Sequence, residues 1–219
     1  GMKIKDVLRI VLVFLIITAS DFAYGQSFDY ARFGMNVSEA TEPKGLQPGD
    51  RAPDFVGYDQ NGTQVEMSKV LTEGPVVLFF YRGKWCTVCS KVLNDYQDSL
   101  NVISGMGFRV IAITPESIEN VEQTVKMHNL TYTVIYDCQE KIMKDYGVMF
   151  NVTKDYQDKL AKGYSIDIAK NNGRDVANLP VPATYIINRD GIITAVYFNP
   201  DYRSRASVKW ILTNLAGAL

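Results

Sequence analysis

The sequence predicts an α/β domain whose central mixed sheet is covered by helices on both faces. Residues 75–81 are continuously apolar, which is typical of a central strand buried on both faces. Strand patterns then alternate with helix patterns, and this alternation indicates a mainly parallel core. Residues 183–198 predict two strands turned at Asp190 and Gly191, which adds an antiparallel hairpin.

The remaining elements follow in chain order. Residues 52–70 alternate apolar and polar side chains around Asn61 and Gly62, a pattern that predicts an N-terminal hairpin. Apolar residues recur at helical spacing from Val88, so a helix is expected to begin near the adjacent cysteine pair. Further strands are predicted at 108–114 and 131–137, and further helices at 118–125, 139–148 and 207–219.

The segment 149–179 is too long for a plain connection, because structureless loops beyond about 15 residues are uncommon in compact domains. We expect it to contain a helix near 154–162, capped by Thr153, and to act as a lid or partner surface.

The N-terminus has the three-part form of a secretory signal. Basic residues precede an apolar run at 10–17, and small residues then end at Gly25, where cleavage is expected; Gly1 is set aside as a cloning remnant. The run is shorter than the roughly 18 residues that span a bilayer, although an uncleaved membrane anchor stays open as an alternative. Either outcome predicts a location outside the cytosol. The predicted parts are a signal peptide at 1–25, an extended lead-in at 26–44 and a folded domain at 45–219.

The charge pattern argues against a nucleic-acid partner. Formal net charge is −1, and the basic residues are scattered singly rather than clustered. No motif predicts a cofactor.

Cys86 and Cys89 are two of the chain's three cysteines, and they stand where a buried strand meets a helix. Zinc takes about four ligands, and only Cys138 and His128 remain beyond the pair. A site of three cysteines and one histidine stays open as an alternative, but no second paired motif supports it, so no metal is expected. A structural disulfide closing so short a loop would constrain the unfolded chain little. A redox pair is favoured, because the N–H groups and dipole of a helix start stabilise a thiolate.

Position along the helix predicts how the pair behaves. We expect Cys86 to have the lower pKa because it is nearer the helix start, and we expect a reversible Cys86–Cys89 disulfide. Arg82 and Lys84 are candidates for electrostatic support of the thiolate, with ordinary solvated loop charge as the alternative.

Four motifs carry a family resemblance. They are GDRAPDF at 49–55, FYRGKWCTVC at 80–89, LPVPATYIINRDG at 179–191 and NPDYRSR at 199–205. From about residue 45 onward the chain resembles the AhpC/TSA family, in the peroxiredoxin-like branch of the thioredoxin-like superfamily. The resemblance implies a thioredoxin-like fold, with an inserted segment before a strand that carries a cis-proline.

The reactive loop departs from that family's pattern. Typical peroxiredoxins carry Pro-x-x-x-Thr-x-x-Cys, together with a distant arginine. Here Arg82 stands at the proline position, Cys86 at the threonine and Cys89 at the peroxide-reactive cysteine. Pro182 stands where such enzymes usually carry the arginine.

Two of these replacements resemble a thioredoxin. That resemblance implies a cis bond between Val181 and Pro182, which together with Trp85 would position substrate beside the sulfurs; a trans proline at a strand edge is the alternative. Phe80 occupies the position where a thioredoxin carries a buried carboxylate, so proton transfer must involve water or another group.

Other cysteine and motif residues are less informative. We expect Cys138 to be a small buried apolar residue, with resolution of a sulfenic acid as the alternative. Asp201, Tyr202 and Arg205 match a family motif, but their roles do not follow from the sequence.

The leading functional prediction is an exported thiol–disulfide oxidoreductase with peroxiredoxin-like character. It would take electrons from a thioredoxin-like partner protein and pass them to protein disulfides or peroxides, with Cys86 attacking and Cys89 resolving. One alternative is a peroxidase in which Cys89 is oxidised first. Another is a non-catalytic thiol- or copper-binding module, which is disfavoured because no Met- or His-rich ligand set surrounds the pair.

Overall fold

A computed structural model describes residues 28–219, so the predicted signal peptide at 1–25 lies outside the described residues. The described strands form two sheets, one with seven strands in the order β10-β9-β4-β5-β6-β2-β3 and one with three in the order β1-β7-β8. The strands are β1 (Met35–Asn36), β2 (Val56–Asp59), β3 (Gln64–Glu66), β4 (Val76–Phe80), β5 (Arg109–Thr114), β6 (Thr133–Tyr136), β7 (Met149–Val152), β8 (Asn178–Pro180), β9 (Thr184–Ile187) and β10 (Ile193–Tyr197).

The seven-stranded sheet is mixed, as predicted, but it is not mainly parallel. Only β4–β5 and β5–β6 pair in parallel, and the other neighbours are antiparallel. The alternation of strands and helices holds only for the three central strands, because hairpins supply the strands at both edges. Both predicted hairpins are confirmed, β2–β3 and β9–β10.

The helices that the apolar spacing predicts are present, but the last residues of the predicted N-terminal hairpin, 67–70, belong to a helix. The helix after the cysteine pair begins at Thr87, and the predicted closing helix ends in a short 3-10 turn at Leu215–Ala218. The described helices are α1 (Met67–Glu73), α2 (Thr87–Asp98), α3 (Leu100–Gly105), α4 (Ile118–His128), α5 (Lys141–Asp145), α6 (Lys154–Tyr164), α7 (Ile168–Asn171) and α8 (Val208–Asn214).

The segment before β8 holds more structure than the sequence predicts. Helix α6 is present, and the Thr153 Oγ1 accepts a hydrogen bond from the Tyr156 N–H at 3.4 Å, which confirms the predicted cap. On either side of α6 and α7, β7 and β8 pair with each other, and β1 pairs with β7. The stretch predicted as an extended lead-in therefore contributes a strand to the smaller sheet.

Gly34 is the point at which this N-terminal stretch packs against α6. It has a φ of 79°, in the left-handed region, and closes a 3-10 turn at Ala31–Phe33. A Cβ at this position would lie 2.4 Å from the ring of Tyr156. Only glycine allows the aromatic ring to pack this closely on the backbone.

The core lies on both faces of β4, whose residues are all buried. Val76, Leu78 and Phe80 belong to one apolar cluster, whereas Val77 and Phe79 belong to a second cluster that also contains both cysteines of the pair. Side chains alternate across a strand, so the two clusters lie on opposite faces of the sheet. Each fully buried side chain of this kind contributes about 1.5–3 kcal/mol.

Among the helices of residues 28–219, none has the length and apolar character needed to cross a membrane.

Candidate redox site

The cysteine pair sits at the start of α2, as the sequence predicts. Cys86 caps the helix, and its Sγ accepts a hydrogen bond from the Cys89 N–H at 3.4 Å. Cys86 is 4% exposed and Cys89 is fully buried. Both are free thiols in this structure, so the predicted disulfide stays a prediction.

Arg205 reaches Cys89 from the loop before α8. Its Nη2 donates a hydrogen bond to the Cys89 Sγ at 3.0 Å, and its Nε donates to the Tyr202 carbonyl at 2.6 Å. The hydroxyl of Tyr96 in α2 donates to the carbonyl of Ala206 at 2.8 Å, which anchors the same loop to the helix. The guanidinium is thus held in place against the sulfur.

Arg82 reaches the other sulfur and is enclosed by aromatic rings. Its Nη2 lies 3.8 Å from the Cys86 Sγ, and its Nη1 donates to the Tyr156 hydroxyl at 3.2 Å. The guanidinium carbon lies 3.7 Å from the ring centre of Tyr202, 4.9 Å from that of Trp85 and 5.8 Å from that of Tyr156. We call these three rings the aromatic cage.

Arg82 is 3% exposed, and it forms no ion pair with a carboxylate anywhere in residues 28–219. A buried cation needs a compensating anion or π-face, and the aromatic cage supplies the second. A thiolate at the cysteine pair, 3.8 Å away at the nearer sulfur, would supply the first. The structure therefore brings Arg82 to the site, as the sequence predicts.

The two thiols differ in acidity, in the opposite sense to the prediction. Burial acts to raise the pKa of Cys89, but the hydrogen bond from Cys86 and the charges of Arg205 and Arg82 outweigh it and hold that pKa well below its usual range. The pKa of Cys86 is raised, first by its hydrogen bond with Cys89, then by burial and the Cys89 charge. The expectation that Cys86 has the lower pKa is wrong, because a helix dipole typically contributes only about 0.3–1 kcal/mol, less than a guanidinium in direct contact.

Lys84 and Trp85 take different places around the pair. The Lys84 ammonium bonds to Gln123 in α4 and faces neither sulfur, so its predicted electrostatic role does not fit its position. Its backbone N–H instead donates to the Glu116 Oε2 at 2.9 Å. Trp85 forms part of the aromatic cage and packs against both core clusters.

Val181 and Pro182 do not form the predicted cis bond, since residues 28–219 contain no cis peptide bond. The Ala183 N–H donates to the Val181 carbonyl at 2.8 Å, which closes a three-residue turn with Pro182 at its centre. The fixed φ of proline suits such a turn, so the chain bends here with a trans bond. Val181 packs on the face of the sheet opposite the cysteines, which does not fit its predicted substrate-positioning role.

A pocket of about 300 Å³ opens over Cys86. Cys86 lines it and Cys89 does not. Helix α6 forms one wall with Tyr156, Leu160 and Tyr164, so the segment 149–179 covers the site, as its predicted lid role requires. The pocket is mainly apolar and aromatic; its lining residues are Arg82, Trp85, Cys86, Thr87, Val88, Tyr156, Leu160, Tyr164, Ile166, Tyr202 and Arg203.

Cys138 lies after β6 and is exposed, so the expectation of a buried apolar cysteine is wrong. The carboxylate of Asp137 accepts the backbone N–H groups of Ile142 and Met143 at 3.2 and 2.8 Å. This turns residue 137 inward and leaves residue 138 facing solvent. Within the described part of the chain, no three His, Cys, Asp or Glu side chains are grouped so as to hold a metal ion.

Two residues of the site have no role that follows from the sequence. Arg205 lies in the family motif at 199–205, but nothing in its spacing connects it to Cys89. Glu116 gave no signal at all, although it is fully buried after β5 and bonds to the loop before the cysteines.

Comparison with known proteins identifies the family of the chain. The sequence model of the AhpC/TSA family matches residues 48–196. The chloroplastic peroxiredoxin Q of Sedum lineare is 26% identical over 151 residues, which cover 69% of this chain and 68% of that protein. The thiol-disulfide oxidoreductase ResA of Geobacillus thermodenitrificans (strain NG80-2) is 26% identical over 143 residues, which cover 65% of this chain and 75% of that protein.

Solved structures show the same fold. Peroxidoxin BcpB from Mycobacterium tuberculosis superposes with a TM-score of 0.61 at 20% identity, covering 79% of this chain and 96% of that one. This likeness confirms the predicted thioredoxin-like fold.

Proposed function

Because this chain belongs to the AhpC/TSA family, whose relatives named above are oxidoreductases, we propose that it is a thiol–disulfide oxidoreductase that works through Cys86 and Cys89. The observation that carries the proposal is the division of labour between the two sulfurs. Cys86 is the sulfur that lines the pocket, and Cys89 is the acidic one, buried against Arg205.

The reaction begins at Cys86. Its thiol passes a proton to the Cys89 thiolate and attacks one sulfur of the substrate disulfide, whose S–S bond breaks as a mixed disulfide forms. The first substrate thiolate leaves. Cys89 then gives its proton to that departing substrate thiolate, assisted by the charges of Arg205 and Arg82, and attacks the Cys86 sulfur. The second substrate thiolate leaves, and two electrons have moved from the pair to the substrate.

A dithiol protein completes the cycle. Thiol–disulfide exchange runs the same steps in reverse, so a thioredoxin-like partner that attacks Cys86 from the pocket returns two electrons to the pair. The pocket's aromatic rim suits an apolar segment of a protein or peptide substrate.

A second candidate activity is reduction of hydroperoxides, and the Arg205–Cys89 contact favours it. A thiolate held by a guanidinium can attack the terminal oxygen of a hydroperoxide, giving a sulfenic acid on Cys89 and releasing an alcohol or water. Cys86 would then condense with the sulfenic acid, forming the same disulfide and one water. Full burial of Cys89 limits this route to small peroxides.

We also propose that the protein works outside the cytosol, after export by its N-terminal signal. The basic, apolar and small-residue sections at 1–25 support this proposal. N-terminal sequencing of the mature protein would test it, with a new terminus at residue 26 expected. An intact N-terminus on the membrane fraction would indicate an anchor, and recovery in the cytosol would refute export.

One preparation should be assayed for both activities. We expect insulin disulfides to be reduced catalytically in the presence of a dithiol, and peroxide to be consumed more slowly. Cys138→Ser serves as the matched control, because it removes an exposed thiol that does not line the pocket. Fast peroxide consumption without insulin reduction would make the peroxidase activity the main function and refute the disulfide reductase activity. Copper binding with neither activity would refute both.

A further inference from the structure

Unpartnered polar atoms gather behind the cysteine loop. In residues 28–219, six buried side-chain nitrogen or oxygen atoms lack a hydrogen-bond partner, and four belong to Tyr81, Arg82, Trp85 and Glu116. Buried polar groups are nearly always paired, so a concentration of exceptions beside reactive residues calls for a functional explanation.

Glu116 is the acidic member of this group. It follows β5, the strand that pairs with β4, and its side chain is fully buried. Its Oε2 accepts the Lys84 N–H at 2.9 Å, whereas its Oε1 has no partner. The carboxyl also lies directly under the loop, since a Cβ on Gly83 would stand 2.6 Å from both the Glu116 Oε1 and the Trp85 Nε1.

The carboxyl shares its surroundings with the cysteine pair. Burial raises the pKa of Glu116 to about 8, the Lys84 N–H and charge oppose the rise, and the Cys89 charge adds to it. Tyr81 lies close enough to Glu116 for the two groups to interact: burial, and then the Glu116 charge, raise the pKa of Tyr81 well above its usual value. The titratable groups facing Glu116 are therefore Tyr81 at the end of β4, Lys84 in the loop and Cys89 in α2.

We propose that Glu116 is a positioning residue that carries the second proton of the Cys86–Cys89 redox couple. This rests on the proposed dithiol–disulfide function. In the oxidised protein the two cysteines form a disulfide and Glu116 is ionised. On reduction the site takes up two electrons and two protons from a dithiol donor, which gives a Cys86 thiol, a Cys89 thiolate and a protonated Glu116. On oxidation the Cys89 charge, which adds to the effect of burial on the Glu116 pKa, disappears, and the carboxyl releases its proton more readily. The carboxyl thus allows Cys89 to remain ionised without adding a second buried negative charge.

The test is the pH dependence of the redox equilibrium with dithiothreitol, followed between pH 6 and 8 in wild type, Glu116→Gln and the exposed control Glu119→Gln. Dithiothreitol releases two protons with its two electrons in this pH range, so a wild type that takes up two protons should show an equilibrium constant that does not change with pH, its own potential falling ~59 mV per pH unit. With Cys86 alone taking a proton, the constant for Glu116→Gln should rise about 10-fold per pH unit, its potential falling only ~30 mV. Glu119→Gln should follow wild type.

Equal slopes in wild type and Glu116→Gln would overturn this proposal and leave the proposed function intact. Failure of the wild type to form the Cys86–Cys89 disulfide would overturn both. If Glu116→Gln does not fold, carboxyl ¹³C NMR of glutamate-labelled wild type decides the question. The proposal requires a Glu116 pKa that falls on oxidation, and an unchanged pKa overturns it.

Discussion

Arg205 donates a hydrogen bond to the sulfur of Cys89 at 3.0 Å although the two residues lie 116 positions apart in the chain. The positive charge beside Cys89 therefore comes from the loop before α8 and not from the position of Pro182, where typical peroxiredoxins carry an arginine. Folding, rather than sequence proximity, sets the acidity of this cysteine.

Arg205→Gln should raise the pKa of the Cys89 thiol by about 1–3 units, because a nearby opposite charge shifts a titrating group by that much. Thiolate absorbance near 240 nm, followed against pH, measures the change. Arg203→Gln is the matched control, since the Arg203 guanidinium is held by Asp201 at 2.7 and 2.8 Å. An unchanged titration in Arg205→Gln would show that the hydrogen bond does not set the acidity.

Single-cysteine variants should separate the two sulfurs. Cys89→Ser is expected to accumulate a stable mixed disulfide on Cys86, because Cys86 lines the pocket and its resolving partner is gone. Cys86→Ser should lose disulfide reductase activity but still form a sulfenic acid on Cys89 slowly with hydrogen peroxide. Mass spectrometry of peptides identifies each adduct. Mixed disulfide recovered mainly on Cys89 of Cys86→Ser would contradict the assigned roles.

Tyr164→Ala should weaken substrate binding without slowing the chemical step. Tyr164 is 69% exposed at the end of α6 and forms part of the pocket rim. Truncating an aromatic anchor commonly costs about 1 kcal/mol or more, so KM for a peptide disulfide should rise about fivefold while kcat stays near wild type. Tyr58→Ala, an exposed tyrosine outside this pocket, controls for general surface effects. A fall in kcat alone would place Tyr164 outside the binding surface.

Pro182→Ala should affect stability more than exchange, in contrast to its predicted substrate-facing role. The substitution gives the unfolded chain more conformational freedom and removes buried atoms from the turn. Together these effects should lower the free energy of unfolding by about 1–2 kcal/mol. Pro48→Ala is the control: Pro48 is exposed, so its replacement changes the freedom of the unfolded chain without removing buried atoms. Urea denaturation measures stability, and the reaction of the pair with a small disulfide measures exchange. Slowed exchange with unchanged stability would restore the original prediction.

Glu116→Gln should gain stability relative to wild type as pH rises. The folded pKa of about 8 exceeds the ordinary value of 4.5, so folded protein binds more protons than unfolded chain between these values. The contribution of Glu116 to the free energy of unfolding is fully present below pH 4.5 and is lost as pH rises through 8. The difference between variant and wild type should therefore shift by up to about 5 kcal/mol, as measured by urea unfolding of reduced protein at pH 5 and pH 9. A pH-independent difference would mean that Glu116 titrates normally.

The parts of the fold that the sequence predicted are those encoded by local pattern. Strand β4 and helix α2 follow from uninterrupted apolar or helical spacing, so the position of the cysteine pair was predictable. The smaller sheet was not, because β1 spans two residues and β8 three, too few for a periodic signal. The Val181–Pro182 bond was predicted from resemblance alone, and the turn closed by Ala183 overrode it.

The same distinction holds for the site. Arg82 stands four positions before Cys86, so its approach to the sulfur was predictable from sequence. Arg205 and Glu116 reach the pair through strand order and a long-range loop contact, which a single sequence does not display. The predicted order of acidity failed for this reason, since it included the local helix dipole but not the distant guanidinium.

A substitution at Gly34 should disturb the candidate redox site although Gly34 does not line its pocket. The ring of Tyr156 rests against the Gly34 backbone, and the same tyrosine accepts a hydrogen bond from Arg82. A methyl group at position 34 would displace that ring and open the aromatic cage, which would let water reach the Arg82 guanidinium. Such a variant would present as a redox-deficient protein with both cysteines intact, so a genetic screen for loss of activity should recover substitutions at Gly34 alongside those in the cysteine loop.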